Sequence, residues 1–192
     1  MIIGLTGGIA TGKSTVSDYL RDKYQIPVID ADVLAREAVQ VGSPIFERIV
    51  ERYGDDILNP DGDINRGRLG EIVFGDEGER LWLEGLVHPY VRARMEEGIR
   101  ESDAPIILLS IPLLFEAKMT DLVDQIWVVY TDFETQVSRL QQRNGFSRQG
   151  AIARIRSQMP LQDKLVRADV VIDNSGSVEE LYRLIKQIKL EA

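Results

Sequence analysis

The segment Gly7-Gly8-Ile9-Ala10-Thr11-Gly12-Lys13-Ser14-Thr15 has the residue types and spacing to do chemistry. It fits G-x-x-x-x-G-K-[ST], the pattern of a loop that wraps nucleotide phosphates. Glycines leave room for a phosphate and permit positive φ. Successive backbone N–H groups then form a concave anion nest at the positive end of a helix. Gly8, Ala10, Thr11, Gly12 and Thr15 are therefore candidate nucleotide-binding positions. Lys13 is placed to reach the β- and γ-phosphates, and the Ser14 hydroxyl to ligate Mg²⁺. The bland alternative is a glycine-rich turn with a chance lysine. The spacing and the apolar run before the loop count against it.

Two acids, Asp30 and Asp32, close a second apolar run that starts at Ile26. Ligands of open parallel sheets gather at the carboxyl ends of the strands. A carboxylate there can accept the proton of an acceptor hydroxyl and orient it in line with the γ-phosphate. Side chains alternate along a strand, so only one of the two acids faces the site. The other caps the following helix or pairs with Arg36, a structural role that suits Asp30 better. His88, the only histidine, precedes Pro89. A lone histidine in a helical region reads as structural more readily than as a ligand contact. Trp82 and Phe74 read as core. Phe115 and Glu116 follow the third strand and either line a pocket or begin the next helix. From Gln136 to Ala168 seven basic residues (Arg139, Arg143, Arg148, Arg154, Arg156, Lys164, Arg167) face one acid, Asp163, a local charge of +6. This is an anion-binding element or a solvated helical face.

The elements that must position these residues can be read from apolar patterning. Met1 to Leu5, Ile26 to Asp30, Pro105 to Ile111, Gln125 to Tyr130 and Val170 to Asp173 read as strands, most of them apolar on both faces. That pattern suits a parallel sheet covered by helices on each side. Helical segments alternate with the strands, which gives an α/β class. Lys13 to Tyr24 is the first helix. More than seventy residues separate the second and third strands, too many for one crossover helix. This stretch reads as helical pieces: Val33 to Val41 before Gly42, Ser43-Pro44 to Tyr53, a helix capped by Asn65 through Phe74, and Glu79 to Arg100 with a break expected at His88-Pro89. Asn59 to Asp63 is a turn by composition. Later helices run from Asp132 to Asn144 with Gly145 as stop, from a Ser147 cap to Met159, and from Leu161 to Ala168. The last follows the capping box Ser177-Val178-Glu179-Glu180, with Leu181, Leu184, Ile185 and Ile188 on its apolar face.

The bulk composition narrows the class. The 192 residues make one domain with elaborations and carry a net charge of −8, which argues against a general nucleic-acid binder. Cysteine is absent, so disulfides and thiolate metal sites are excluded. No run reaches the roughly 18 apolar residues of a membrane span, and no targeting segment is evident, so a cytoplasmic protein with no membrane partner is expected. The monomer is the default, and no appended domain is expected. A GTPase would carry N-K-x-D, which is missing, and Asp173-Asn174-Ser175-Gly176 lies too near the end to serve as a switch. A motor ATPase would end its third strand in acids, where this chain has Ser110-Ile111-Pro112. A small-molecule kinase needs an acceptor platform and a cationic lid, and the long insertion and the basic segment can supply them.

The chain resembles the dephospho-coenzyme A kinases over nearly its whole length. The resemblance rests on GLTGGIATGKST at the start, DADVLAR (Asp30 to Arg36), ILNPDGDINRGRLGEIVF (Ile57 to Phe74), HPYVR (His88 to Arg92), IPLLFE (Ile111 to Glu116), RLQQRN (Arg139 to Asn144) and VIDNSG (Val171 to Gly176). It implies a P-loop kinase fold: three α/β/α layers, a five-stranded parallel sheet, a helical substrate-binding insertion and a helical lid. The whole is then a single domain, residues 1–192, with a core of 1–31, 102–134 and 169–192, an acceptor-binding insertion at 32–101 and a lid region at 135–168. The implied reaction is ATP- and Mg²⁺-dependent phosphorylation of the ribose 3′-hydroxyl of dephospho-CoA, the last step of CoA synthesis. Asp32 matches the proposed base. Arg36, His88 and Arg92, with Leu114 and Phe115, fall in motifs of the acceptor side. Arg139 and Arg143 match lid positions expected to clamp phosphates, and Asn174 a position near adenine. Another P-loop kinase, for a nucleoside, a nucleotide or a small alcohol, would share the loop without the downstream motifs.

Overall fold

A computed structural model describes residues 1–188. Five strands build one sheet: β1 (Ile2–Gly7), β2 (Val28–Asp30), β3 (Ile107–Ser110), β4 (Gln125–Tyr130) and β5 (Val170–Asp173). Their order is β2-β3-β1-β4-β5, and every pair is parallel. The helices are α1 (Lys13–Tyr24), α2 (Ala31–Ala38), α3 (Pro44–Tyr53), α4 (Arg66–Gly75), α5 (Glu77–Glu101), α6 (Phe133–Asn144), α7 (Arg148–Arg156), α8 (Leu161–Leu165) and α9 (Val178–Gln187). The expected α/β class and five parallel strands are present. The chain divides into two compact units, Ala31–Gly98 and the remainder.

In the sheet unit, alternation along the strands sorts side chains onto two faces. Ile3, Leu5, Trp127, Val129 and Ile172 share a cluster with Val16 and Leu20 of α1 and Leu181 and Ile185 of α9. The opposite face carries Gly4 and Thr6. A Cβ at Gly4 would stand 2.9 Å from Val123 and 3.3 Å from Leu114, so the glycine lets the segment after β3 lie against the sheet. The Thr6 hydroxyl donates to the Pro112 carbonyl at 3.0 Å. Leu184, expected on the apolar face of α9, is 41% exposed.

The second unit has its own core of Ala38, Ile45, Ile49, Ile57, Ile64 and Leu69, with Trp82, Leu86 and Tyr90 packed against it. Phe74, read as core from the sequence, is 58% exposed near the end of α4. The break expected at His88-Pro89 is absent, and α5 runs through it for 25 residues. A proline inside a helix frees the carbonyl four residues earlier. Here that residue is Gly85, and both Gly85 and Pro89 are exposed, so water can satisfy the freed carbonyl. Ser43, Asn65, Ser147 and Ser177 accept N–H bonds at their helix starts, the last within a reciprocal capping box.

A polar cluster clasps α3 to α5. The Arg52 guanidinium grips Glu79 through two bonds of 2.7 and 2.8 Å. It also lies 4.5 Å from the centre of the Trp82 ring. The Tyr53 hydroxyl donates to the same carboxylate at 2.6 Å. Hydrogen bonds from Arg52 and then from Tyr53 lower the Glu79 carboxyl to a pKa of about 2. A carboxyl depressed below its unfolded value of roughly 4.3 adds stability above that value, which is lost as pH falls towards the folded value. Glu79→Gln removes this dependence. Thermal melts should show the wild type losing more stability than Glu79→Gln between pH 5 and pH 2. Parallel losses in the two proteins would contradict the assignment.

Candidate active site

The glycine-rich loop follows β1 directly, and α1 begins at Lys13. Ala10 takes φ 62° and Gly12 φ 92°, the left-handed turns that curl a backbone into a nest. Carbonyls from Gly8 to Thr11 are each held by a donor. The Thr11 hydroxyl bonds Gly8 at 2.9 Å. Gln136 Nε2 bonds Ile9 at 2.7 Å. Arg139 Nη1 bonds Ala10 and Thr11, each at 3.4 Å, and Asn174 Nδ2 bonds Thr11 at 2.7 Å. A peptide plane carries C=O and N–H on opposite edges. Fixing the Ile9 and Thr11 carbonyls therefore turns the Ala10 and Gly12 N–H groups the other way.

Gln136 and Arg139 sit on α6, which Asp132 caps by accepting the Thr135 amide at 2.9 Å and hydroxyl at 2.6 Å. The Thr135 hydroxyl and then its amide hold the Asp132 carboxyl below the usual carboxylate range. Arg139, matched to a phosphate-clamping lid position, makes its three hydrogen bonds to the carbonyls of Ala10, Thr11 and Asn174, the last at 2.9 Å. Asn174, matched to a position near adenine, is buried with its amide under the loop. These two side chains support the loop from behind.

Lys13 extends to the ends of β2 and β3. Its ammonium donates to the Ser110 hydroxyl and stands 3.7 Å from Asp30. Ser110, fully buried, donates to Asp30 at 2.6 Å. Asp30 thus has a structural partner, as expected, but that partner is Lys13 with Ser110. Asp32 lies two residues on, exposed in the first turn of α2. Ser14 is exposed and Thr15 half-buried.

In the second unit, Arg36 is exposed on α2, and His88 and Arg92 are half-buried on α5. Arg92 pairs with Glu96 at 2.9 Å. A trough of about 740 Å³ lies past the end of α2, lined by Gln40, Asn59, Asn65 and Arg66 beside Val39 and Ile64.

Two residues matched to the acceptor side by the resemblance, both in the sheet unit, are core. Leu114 is fully buried and packs at Gly4, so a direct ligand contact is closed to it. Phe115 is 9% exposed and the Arg167 guanidinium stands 5.4 Å from its ring centre. Several cations of the basic segment have structural partners. Arg148 grips Glu134 at 2.7 Å, Arg154 stacks on Phe146 at 3.8 Å, and the fully buried Lys164 pairs with Glu116 at 2.9 Å. Arg143 is exposed at the end of α6 and donates to Asn144. Among the described residues no group of three or more His, Asp or Glu side chains can hold a metal unaided. Sequence reasoning gave no site role to Ser110, Gln136 or Gln158, none of which carries a local signal, and it counted Lys164 only as one charge of the basic segment.

A Cβ at Gly12 would stand 2.1 Å from Asn174 Nδ2, at a φ that costs other residues about 1–3 kcal/mol. Gly12→Ala should weaken ATP binding about tenfold or more, since 1.4 kcal/mol is a factor of ten. Adding Asn174→Ala should cost less than the separate effects combined. Calorimetric ATP titration checks both, and unchanged affinity in Gly12→Ala would contradict the packing.

The family model for dephospho-CoA kinase matches residues 1–180. A dephospho-CoA kinase of Thermosynechococcus vestitus is 54% identical over 185 residues, covering 96% of this chain and 91% of its own. One from Bacillus cereus is 50% identical over 183 residues, covering 94% and 91%. The solved dephospho-CoA kinase of Campylobacter jejuni superimposes with a TM-score of 0.69 at 29% identity, over 97% of this chain and 96% of that one. A shikimate kinase of Aquifex aeolicus, 17% identical with a TM-score of 0.55, shares the P-loop kinase fold. The chain belongs to the dephospho-CoA kinase family.

Proposed function

We propose that this chain transfers the γ-phosphoryl group of ATP to the ribose 3′-hydroxyl of dephospho-CoA, with Asp32 as general base. The exposure of Asp32 in the first turn of α2 supports the residue assignment, while Asp30, the last residue of β2, is bonded by Ser110 and stands beside Lys13. The loop N–H groups and Lys13 hold the triphosphate. With phosphate present, Lys13 exchanges part of its contact with Asp30 for the β- and γ-oxygens. Ser14 would be the protein ligand for Mg²⁺, a hard cation that keeps oxygen ligands and suits an exposed hydroxyl beside phosphates. The ion would neutralise charge on the transferring group.

Asp32 orients the ribose hydroxyl and takes its proton. Arg36, His88 and Arg92 bind the acceptor, and Arg143 neutralises charge spreading over the γ-phosphoryl group. Arg139 and Asn174 act through the loop they support. Closure over the site excludes water as a competing acceptor. The enzyme acts on small molecules in the cytoplasm, as a monomer. No helix among the described residues is long and apolar enough to cross a membrane.

Asp32→Asn should lower kcat by about 10²–10⁴, the usual worth of a general base, and leave ATP affinity intact. A variant that keeps near-normal kcat removes Asp32 from that role. Arg143→Ala should lower kcat by about 10³, with a much smaller change in ATP affinity. Turnover equal to wild type would take the arginine out of the catalytic set.

A further inference from the structure

The connection between α7 and α8, residues 157–160, is tied to the carboxyl edge of the sheet at separate points. The Met159 N–H donates to Glu116 Oε1 at 3.1 Å. Lys164, fully buried, pairs with the same carboxylate at 2.9 Å and donates to the Pro112 carbonyl at 3.0 Å. These contacts hold the connection in place. A further one reaches the phosphate loop itself: Gln158 Oε1 accepts the Ile9 N–H at 2.8 Å, across 149 residues of sequence.

Ile9 is the third residue of the loop. Its carbonyl is taken by Gln136 on α6 and its N–H by Gln158, so two glutamines from different elements fix both polar groups of this residue. Each acceptor and donor is neutral. A carboxamide offers one oxygen and two N–H donors. It can hold a loop N–H without placing negative charge where a triphosphate binds. A carboxylate would hold the same N–H more strongly and repel the phosphates. Gln158 is half-buried, and its bond links the α7–α8 connection to the Ile9 peptide.

We propose that Gln158 is a positioning residue for ATP. It fixes the Ile9 peptide and couples the segment from Arg148 to Leu165 to the phosphate loop. The proposal rests on the reading that this loop binds ATP, and absence of ATP binding in the wild type would defeat that reading rather than this one. Two variants test the coupling. Gln158→Leu keeps the bulk and removes the acceptor. Gln158→Glu keeps the acceptor and adds charge.

The Leu variant should raise the KM for ATP about tenfold and lower kcat, with the KM for dephospho-CoA unchanged. Its Tm should stay near wild type, since Glu116 and Lys164 still anchor the connection. The Glu variant should recover part of the lost kcat yet keep a raised KM for ATP, and that excess should shrink as salt screens the added charge. Should the Leu variant fold poorly, the salt-dependent KM of the Glu variant still decides. Wild-type constants in the Leu variant would overturn the proposal. So would equal losses in both variants with a shared fall in Tm and no effect of salt, which would make Gln158 a purely structural contact.

Discussion

The site depends on where the carbonyls of a five-residue turn point. A loop can bind phosphate through its N–H groups only if its C=O groups are turned away and satisfied elsewhere. In this chain Thr11, Gln136, Arg139 and Asn174 supply that satisfaction between Gly8 and Thr11. These donors come from the loop itself, from α6 and from the residue just after β5. The order of the sheet explains how they meet: β4 and β5 lie beside β1 on the same side, so the segments that follow them arrive at the loop from behind. Gly8 and Gly12 are glycines in part because those donors stand where a Cβ would be, 2.6 Å for Gln136 and 2.1 Å for Asn174.

A second constraint is charge. Lys13 needs a partner in the absence of a ligand, because a largely buried ammonium is costly when unpaired. Asp30 and Ser110 are that partner, with the Lys13 side chain only 13% exposed. The arrangement divides labour between two acids two residues apart. One stands beside the lysine, and the other lies in the first turn of α2. It also gives a use to Ser110, which stands where a motor ATPase would have an acid.

Much of the fold was legible because its signals are local. Strands apolar on both faces announced a buried parallel sheet, and Asn65, Ser147 and Ser177 announced helix starts. Two local rules misled. Pro89 suggested a break, yet its freed carbonyl partner at Gly85 faces solvent, and Phe74 suggested core, yet it falls near the end of α4. At the site, the loop motif was readable from spacing alone. The support behind it was not. The resemblance matches Arg139 and Asn174 to positions at the nucleotide, and their hydrogen bonds to the loop carbonyls are an engagement that a motif does not announce. Leu114 stood in a motif as well, and burial makes it core. Gln136 and Gln158 were invisible, since uncharged carboxamides more than a hundred residues from the loop leave no pattern that composition or period can show.

The central claim is that this loop is the donor half of a two-substrate site. Purified protein with ATP and Mg²⁺, followed by ADP release and by ³¹P NMR of the acceptor, tests it most directly. ADP should form one-for-one with a new phosphomonoester on the ribose of dephospho-CoA, with little ADP when adenosine replaces it. ADP release at the same rate with and without dephospho-CoA, and no new phosphomonoester, would contradict the account.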